Sequence, residues 1–397
     1  MKKITIIQEM KKIFLGSLWF FVLSLPFLGL KNALYFIAVL ITLAILWLIY
    51  KSFEQRILAI QPKLLQLSAP SIRWPLYSII AILVLILPFV SDPYITNVAT
   101  SALTYIVLAL GLNIVVGFAG LLDLGYVAFY AVGAYFYALL STKAGLSFWA
   151  VLPLSAIMAA IFGLLLGFPT LRLRGDYLAI VTLGFGEMIR ITLNNWDSVT
   201  GGPNGILGIR GPDLFGLSFS QPYHYYYLII IIGIFTVFAV NRLNNSRIGR
   251  AWIAIREDEI AAEAMGINIV KMKLLAFALG ASFAGMAGAF FASKMKFVSP
   301  ESFTFFESVI ILCMVVLGGM GSILGAILGA VVLIILPESL RGFQNYRMII
   351  FGAAMVVMML FRPQGIIGNI KRRLELHPED EKILKQETER FYDVEKK

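Results

Sequence analysis

Long apolar segments, separated by short polar or glycine-rich stretches, make up most of the chain. A helix needs roughly 17 to 25 mostly apolar residues to cross the hydrocarbon core of a bilayer. Strand-like alternation of apolar and polar residues is absent, and backbone in lipid must satisfy its own hydrogen bonds, so helices are expected. The pattern predicts an all-α, polytopic integral membrane bundle of about 10 to 12 transmembrane or re-entrant helices.

Three of the candidate spans are short or interrupted by glycine: 177–193 and the two that flank the sequence LGGMGS at 317–322. Because broken helices survive at membrane depth only where protein or a watery cavity shelters the freed backbone groups, we expect these three to be tilted, broken or re-entrant. The complete set of candidate spans is 13–30, 33–50, 74–91, 98–117, 121–141, 148–168, 177–193, 223–240, 274–293, 305–318, 322–337 and 347–361.

The composition excludes a soluble domain, since 59% of the residues are hydrophobic, 14% are charged and the mean hydropathy is +0.84. If the N-terminus is inside, strict alternation of the spans places five segments in the cytoplasm. These segments hold 25 of the 33 Lys and Arg residues, as the positive-inside rule expects. The net charge of +10 therefore indicates topology and contact with anionic lipid, and no nucleic-acid motif accompanies it. The segments are 1–12, 51–73, 169–176, 241–273 and the tail from 362.

This topology divides the chain into three parts. Residues 1–73 form an N-terminal extension with two spans and a basic cytoplasmic linker. Residues 74–370 form a transmembrane domain whose longest cytoplasmic loop is 241–273, and residues 371–397 form a charged cytoplasmic tail. Both termini are therefore predicted to be cytoplasmic.

The sequence lacks the residues that most enzymes and metal proteins need. Cys313 is the single cysteine and the chain has two histidines, so we expect no disulfide, no metal site and no cofactor. A G-x-x-x-x-G-K-[ST] phosphate loop is absent, as is any Gly-Lys dipeptide, and no G-x-S-x-G nucleophile motif is present. If the chain transports a solute actively, energy must come from a partner or from an ion gradient.

The loop 241–273 contains the sequence RAWIAIREDEIAAEAMG at 250–266, which predicts one short helix that ends at Gly266. Its apolar residues lie on more than one side, and Arg256 is expected to be a surface charge placed three residues before Glu259. A short helix of this kind, with a sharp end, is expected to dock into a groove of another protein. The alternative is a solvated linker helix on the membrane surface.

Several long motifs in the same order, over roughly residues 74–370, resemble the branched-chain amino acid permeases of bacterial ABC importers. They are GLNIVVGFAGLLDLGYVAFYAVGAY, LRLRGDYLAIVTLGFGEMIRI, TGGPNGI, GRAWIAIREDEIAAEAMGINIVKMKLLAFALGASFAGMAGA, VVLGGMGSILGAILGA and FRPQGIIG. The set is similar to the LivM-type subunit more than to its LivH-type partner, and the extra pair of N-terminal spans also fits the LivM type.

The resemblance implies an importer in the bacterial cell membrane, built from two different permeases, two cytoplasmic ATPases and an extracytoplasmic binding protein that delivers leucine, isoleucine or valine. This chain would be one of the permeases. Two alternatives remain: a permease of the same family for urea or short amides, and an ion-coupled secondary transporter. The ATPase-coupling helix would comprise Arg250, Trp252, Ile255, Arg256, Glu257, Asp258, Glu259, Ala261, Ala262, Met265 and Gly266.

An ion-coupled transporter would usually carry ionisable side chains at membrane depth. Glu187 and Arg190 stand one helical turn apart and could neutralise each other, or the glutamate could join two helices through an ion pair. Glycine clusters could break helices along a path or allow close helix packing. Candidates for the translocation path or helix packing are Gly117, Gly120, Asp123, Gly125, Gly184, Glu187, Arg190, Gly318, Gly319, Gly321 and Ser322.

The longest outward loop lies between the predicted spans 177–193 and 223–240 and is rich in Gly, Pro and Asn. Most of this composition is turn chemistry, because Gly and Asn tolerate left-handed backbone angles. The loop is also a candidate docking surface for an extracytoplasmic binding protein, with Gly201, Gly202, Pro203, Asn204 and Gly205 at its centre.

Overall fold

The structure, a computed structural model, describes residues 84–339 except 172, 174, 215, 216 and 220, together with residues 352, 356, 365 and 366. The chain divides into two compact units, Met1–Leu85 and Ile86–Lys397, and the second unit is described below. The predicted extension 1–73, the predicted tail 371–397, the spans 13–30 and 33–50 and most of the spans 74–91 and 347–361 lie outside the described residues.

Helices form nearly all of the regular structure in the described part. The first four are α1 (Pro93–Leu112), which continues as a π-helix over Asn113–Phe118, α2 (Val127–Lys143), α3 (Phe148–Thr170) and α4 (Asp176–Asn195). A single turn, α5 (Asp197–Thr200), is followed by α6 (Pro222–Asn244), α7 (Arg247–Glu257), α8 (Glu259–Ala264) and α9 (Ile269–Met295). The last two are α10 (Phe305–Gly318) and α11 (Ile323–Ser339).

The remaining elements are short. Two 3₁₀ turns lie at Gly202–Asn204 and Pro300–Ser302. Strand β1 (Ile206–Leu207) pairs antiparallel with β4 (Phe297–Val298), with Ile206 opposite Val298. Strand β2 (Asp213–Leu214) pairs antiparallel with β3 (Leu217–Ser218).

Five helical stretches in the described part are long and apolar enough to cross a membrane, which confirms the predicted all-α membrane class. A shorter apolar helix spans Ile323–Glu338. The interruption predicted at 317–322 is also confirmed, because α10 ends at Gly318 and α11 begins at Ile323. The five stretches are Pro93–Phe118, Phe148–Thr170, Pro222–Asn244, Ile269–Met295 and Pro300–Gly318.

Helix α9 is the centre of the bundle and packs against α1, α2 and α3. Its contacts depend on small side chains: a Cβ at Gly133 of α2 would overlap the backbone of Gly285 in α9. Lipid tails are as apolar as the helices, so close packing of this kind is a main source of helix association in a membrane. Gly133, the one glycine of α2, therefore serves helix packing.

Helix α9 also joins the two ends of the bundle, since its 27 residues span about 40 Å at 1.5 Å per residue. At one end its first turns contact α7 and α8; we call this the α7–α8 end. At the other end Met295 leads into β4, which pairs with β1 of the glycine-rich loop; we call this the loop end.

Two predicted boundaries were wrong. The single helix expected over residues 250–265 is two helices that meet at Asp258, whose backbone is extended (φ −155°, ψ 113°). The Asp258 carboxylate accepts hydrogen bonds from the backbone N–H groups of Ile260 and Ala261, so it begins a new helix as an N-cap. The span expected from residue 121 begins only at Val127, after a non-helical segment.

Candidate coupling site and buried polar residues

Helix α7 is fastened to α9 along one side. The Ser246 hydroxyl caps its first turn by accepting from the N–H of Gly249 at 3.3 Å. Trp252 is fully buried, and its indole Nε1 donates to the carbonyl of Met272 at 2.8 Å. Ile255 is buried as well, so the apolar residues that the sequence assigned to a partner interface partly serve to hold α7 on the bundle.

Helix α8 is held by a buried ion pair. The Nζ of Lys273 lies 2.7 Å from the Glu259 carboxylate and 3.4 Å from the carbonyl oxygen of Leu171, at the end of α3. Lys273 is 3% exposed, so its charge depends on these oxygen atoms. Sequence reasoning missed Lys273; the signal was a charge immediately before an apolar run.

The other side of α8 faces away from the bundle and carries large apolar side chains. Ile260 is 69% exposed and Met265 is 83% exposed. Among the other predicted coupling residues, Ala262 is buried against the bundle, whereas the exposed ones are Arg250, Glu257, Asp258, Ala261 and Gly266. The two helices thus present a mixed apolar and acidic face, to which Ile260 adds a residue that was not assigned to the predicted site.

The prediction for Arg256 as a surface charge near Glu259 was wrong. Its side chain is 21% exposed, and the guanidinium Nη1 donates to the carbonyl of Gly117 at 2.6 Å. The Nη2 atom donates to the Glu257 carboxylate at 2.9 Å. Arg256 points into the bundle because Glu259 is committed to Lys273 and a helix-end carbonyl lies within its reach.

Gly266 is the predicted helix stop, and the structure confirms it. Its φ of +84° is left-handed, and the N–H of Ile267 donates to the carbonyl of Ala262 at 3.1 Å. No atom lies within 4 Å of where a Cβ on Gly266 would stand, so only the backbone angle requires glycine here.

Two glycine-containing interruptions of regular α-helix lie next to each other at the α7–α8 end, and we call them the glycine breaks. Gly117 lies in the π-helix after α1, and Gly321 and Ser322 lie between α10 and α11. The Asn113 side chain joins the two breaks: its Oδ1 accepts from the N–H of Gly321 at 2.9 Å, and its Nδ2 lies 3.5 Å from the Ser322 carbonyl oxygen. Asn113, which sequence reasoning missed, was visible as an amide within an apolar span.

The neighbouring glycines extend this meeting point. Gly318 ends α10, and Gly319 follows with a φ of +115°. The N–H of Ile366 donates to the carbonyl of Leu317 at 2.8 Å, so a residue of the FRPQGIIG motif also reaches the break. Beside it a cavity of about 230 Å³ lies between α7–α8 and the start of α4; its lining includes Gly120, Leu121, Gly175, Leu178, Arg256 and Lys273.

Asp123 lies in the non-helical segment before α2 and is fully buried. Its Oδ1 accepts from the N–H of Gly125 at 2.8 Å, while its Oδ2 has no hydrogen-bond partner within the described part of the chain. The N–H of Leu124 donates to the Thr182 hydroxyl at 3.0 Å, and a Cβ on Gly125 would overlap the Thr182 carbonyl. The segment is therefore packed directly on α4.

Glu187 and Arg190 form the predicted neutralising pair, with Arg190 Nη2 2.8 Å from Glu187 Oε2. The pair lies within α4, so the alternative that the glutamate joins two helices was wrong. The side chains are 31% and 29% exposed, respectively, and Glu187 lines a narrow gap with Phe303 and Ser308. Gly184, one turn earlier, faces open space.

At the loop end, Gly201, Gly202 and Gly205 adopt left-handed angles with φ of +75°, +55° and +67°. Pro203 and Asn204 lie in a 3₁₀ turn, so the left-handed angle that the loop composition allowed at Asn204 does not occur. A Cβ on Gly205 would overlap the Val298 carbonyl of β4. The centre of the predicted docking loop is thus fixed to the strand that follows α9.

Five apolar helical stretches in the described part, each long enough to cross a bilayer, define a multi-pass membrane protein. Residues 94–359 match the family model described as "Branched-chain amino acid transport system / permease component", and the chain belongs to this family. It is therefore a transport permease subunit of a multi-subunit system rather than an enzyme.

Individual relatives agree with the family. The chain is 48% identical to the high-affinity branched-chain amino acid transport system permease protein LivM of Escherichia coli K12, over 75% of this chain and 76% of that protein. It is 28% identical to the permease protein BraD of Pseudomonas aeruginosa, over 73% and 97% of the two chains. It is 24% identical to the LivH permease of E. coli K12, over 72% and 96%. No solved structure matches the chain.

Proposed function

We propose that this chain is a permease subunit of a bacterial ABC importer that carries branched-chain amino acids into the cytoplasm, driven by partner ATPases. The names of the LivM and BraD relatives support the substrate. The absence of a phosphate loop from the sequence supports a separate ATPase. The ion-coupled alternative and the urea or short-amide alternative receive no support from the relatives named above.

The observation that carries this proposal is the face of α7 and α8. Ile260 and Met265 are exposed in the segment between the apolar stretches Pro222–Asn244 and Ile269–Met295, and the described part of the bundle leaves most of their surface uncovered. The helices α7 and α8 are held on α9 by the hydrogen bond of Trp252 and by the Lys273–Glu259 ion pair. An apolar face on a rigid support suits a helix that docks in a groove of a partner protein and transmits force to the bundle.

The arrangement of partners follows from the two ends of the bundle. The α7–α8 end faces the cytoplasm and binds an ATPase, as the positive charge of loop 241–273 supports. The loop end faces outward and docks the extracytoplasmic binding protein at Gly201–Gly205. In this topology both termini are cytoplasmic, and residues 1–73 and 371–397 are additions to the permease domain 74–370.

Helix α4 borders the translocation path, beside the second, LivH-type permease. Its buried residues are few, and its exposed surface combines the Glu187–Arg190 pair with apolar side chains such as Met188 and Ile191. Charged side chains are costly in lipid and normally face protein or a watery cavity. The assembled transporter therefore covers this surface with a second subunit or with the water-filled path.

A pull-down tests the assignment of the α7–α8 end. The wild-type chain, expressed with its transport system and purified in mild detergent, should carry an ATPase with a Walker phosphate loop and a second permease. Ile260→Glu should reduce the recovered ATPase at least tenfold. Leu207→Glu, which changes an equally exposed apolar residue at the loop end, should leave it unchanged. Equal recovery of the ATPase with both variants contradicts the docking assignment.

Uptake of labelled leucine into vesicles tests the source of energy. ATP-driven import should be abolished by vanadate and survive an ionophore that collapses the ion gradients. Inhibition by the ionophore alone would establish the ion-coupled alternative. Excess unlabelled valine should reduce the uptake of labelled leucine, and excess urea should not, if the substrates are branched-chain amino acids.

A further inference from the structure

One side chain connects α7 to the glycine breaks of the membrane helices. The guanidinium of Arg256 reaches 139 positions back along the chain to donate to the Gly117 carbonyl at 2.6 Å, while its second nitrogen pairs with Glu257. The Gly117 carbonyl lies in the π-helix that ends the span beginning with α1. Arginine suits this position because its planar fork of donors can serve two acceptors at once.

Two glycines leave room for the Arg256 side chain beside the backbone. Gly120 has a φ of +71°, and a Cβ there would overlap Arg256 Cγ. A Cβ on Gly321, where φ is +80°, would stand 3.0 Å from Arg256 Nη1 and 3.1 Å from the Gly117 carbonyl oxygen. Because Gly120 and Gly321 lack side chains, the Arg256 side chain can lie between the two breaks.

Asn113 extends the connection to the second break. Its amide is fully buried, and its Oδ1 accepts from the N–H of Gly321. A Cβ on Gly117 would overlap that same oxygen, so the asparagine fills the space that the glycine leaves. The chain of contacts runs from Arg256 on α7 through Gly117 to Asn113, and from Asn113 to Gly321 between α10 and α11.

The surroundings of this connection differ on its two sides. On one side, Trp252 and the Lys273–Glu259 pair fasten α7 and α8 to α9. On the other side, the cavity of about 230 Å³ separates α7–α8 from the segment after Gly117 and from the start of α4. The cavity gives α7 and α8 room to move relative to that segment, and the hydrogen bond from Arg256 to Gly117 links the two.

We propose that Arg256 and Asn113 are positioning residues that couple the movement of α7–α8 to the inner ends of α1, α10 and α11. This inference rests on the proposed function, in which α7–α8 bind the ATPase. When ATPase closure shifts α7, the Arg256 guanidinium draws the Gly117 carbonyl, and Asn113 moves the Gly321 break with it. The two glycine breaks then open and close together as one cytoplasmic gate.

The proposal predicts uncoupling without loss of the ATPase. Arg256→Ala and Asn113→Ala should each retain membrane abundance and co-purified ATPase within twofold of wild type. Each should lower uptake at least tenfold and abolish the stimulation of ATP hydrolysis by loaded binding protein. Arg256→Lys, which keeps the charge but loses the fork, should restore uptake only partly. Arg247→Ala is the matched control, because it removes an exposed arginine from the same helix.

The double variant separates a connected pair from two independent defects. Because both residues act on one chain of contacts, Arg256→Ala combined with Asn113→Ala should be no worse than either single variant. Wild-type uptake and stimulation in Asn113→Ala, or multiplied defects in the double variant, would overturn the proposal. Loss of ATPase binding in Arg256→Ala would also overturn it by assigning Arg256 to docking, whereas a wild-type chain that recovers no ATPase would refute the proposed function itself.

Discussion

The Nζ of Lys273 in α9 lies 2.7 Å from the carboxylate of Glu259 in α8, and the lysine is 3% exposed. Removing one partner of a buried pair leaves an uncompensated charge and costs about 3 to 5 kcal/mol. Glu259→Gln should therefore lower the thermal stability of the purified chain in detergent. Glu263→Gln, an exposed change on the same short helix, should leave it unchanged.

Stability in this experiment can be followed through Cys313, the single cysteine of the chain, which is partly buried. A thiol-reactive dye should label it slowly in the folded protein and quickly after unfolding. The same labelling midpoint for Glu259→Gln and Glu263→Gln would show that the ion pair contributes little.

Gly266 should be required for coupling because of its backbone angle. Its φ of +84° costs a β-branched residue about 1 to 2 kcal/mol, whereas asparagine tolerates this region. Gly266→Val should leave the chain in the membrane and yet impair uptake and the stimulation of ATP hydrolysis by loaded binding protein. Gly266→Asn is the matched control and should transport normally. If the valine variant also transports normally, the exit angle of α8 has no role.

Glu187→Gln should impair transport more than Asp213→Asn at the loop end. The glutamine leaves the charge of Arg190 uncompensated in α4. In the proposed transporter, this surface faces a second subunit or the water-filled translocation path. Because the isolated pair is about one third exposed, its loss should cost the single chain only about 1 kcal/mol, and the effect should appear in uptake by the assembled transporter. Equal uptake by the two variants, at equal membrane abundance, would show that Glu187 faces water.

Gly133 and Gly233 provide a matched pair for helix packing. A Cβ on Gly133 would overlap the backbone of Gly285, so Gly133→Ala should push α2 from α9 and destabilise the bundle by about 3 kcal/mol. No atom lies within 4 Å of the corresponding position on Gly233 in α6, so Gly233→Ala should be neutral. The temperature at which half of the Cys313 thiol is labelled would compare the stabilities of the two variants. Equal labelling midpoints for Gly133→Ala and Gly233→Ala would contradict the packing role of Gly133.

Several features of the candidate site could be predicted because they depend on residues close together in the chain. The glycine stop at Gly266 and the pairing of Glu187 with Arg190 each involve neighbours within one or two turns. The break at Asp258 was equally local, since an aspartate can cap a new helix through the N–H groups that follow it. It was missed because the apolar periodicity continues across Asp258.

The inward direction of Arg256 and the roles of Asn113 and Lys273 could not be predicted. The hydrogen bonds of Arg256 and Asn113 join positions 139 and 208 residues apart, respectively. Local spacing offered Glu259 as a partner for Arg256, and the folded chain instead gives that glutamate to Lys273. Which acceptor a long side chain reaches depends on the elements that pack beside it.

The sequence by itself determined that this protein is a helical membrane bundle, because transfer into lipid acts on each apolar segment separately and depends on its length and composition. The tertiary structure decided which polar groups meet at the end of that bundle. The hydrogen bonds from Arg256 to Gly117 and from Gly321 to Asn113 need helices distant in sequence to approach within about 3 Å. Such an approach is set by packing between helices, which the pattern of a single segment does not contain.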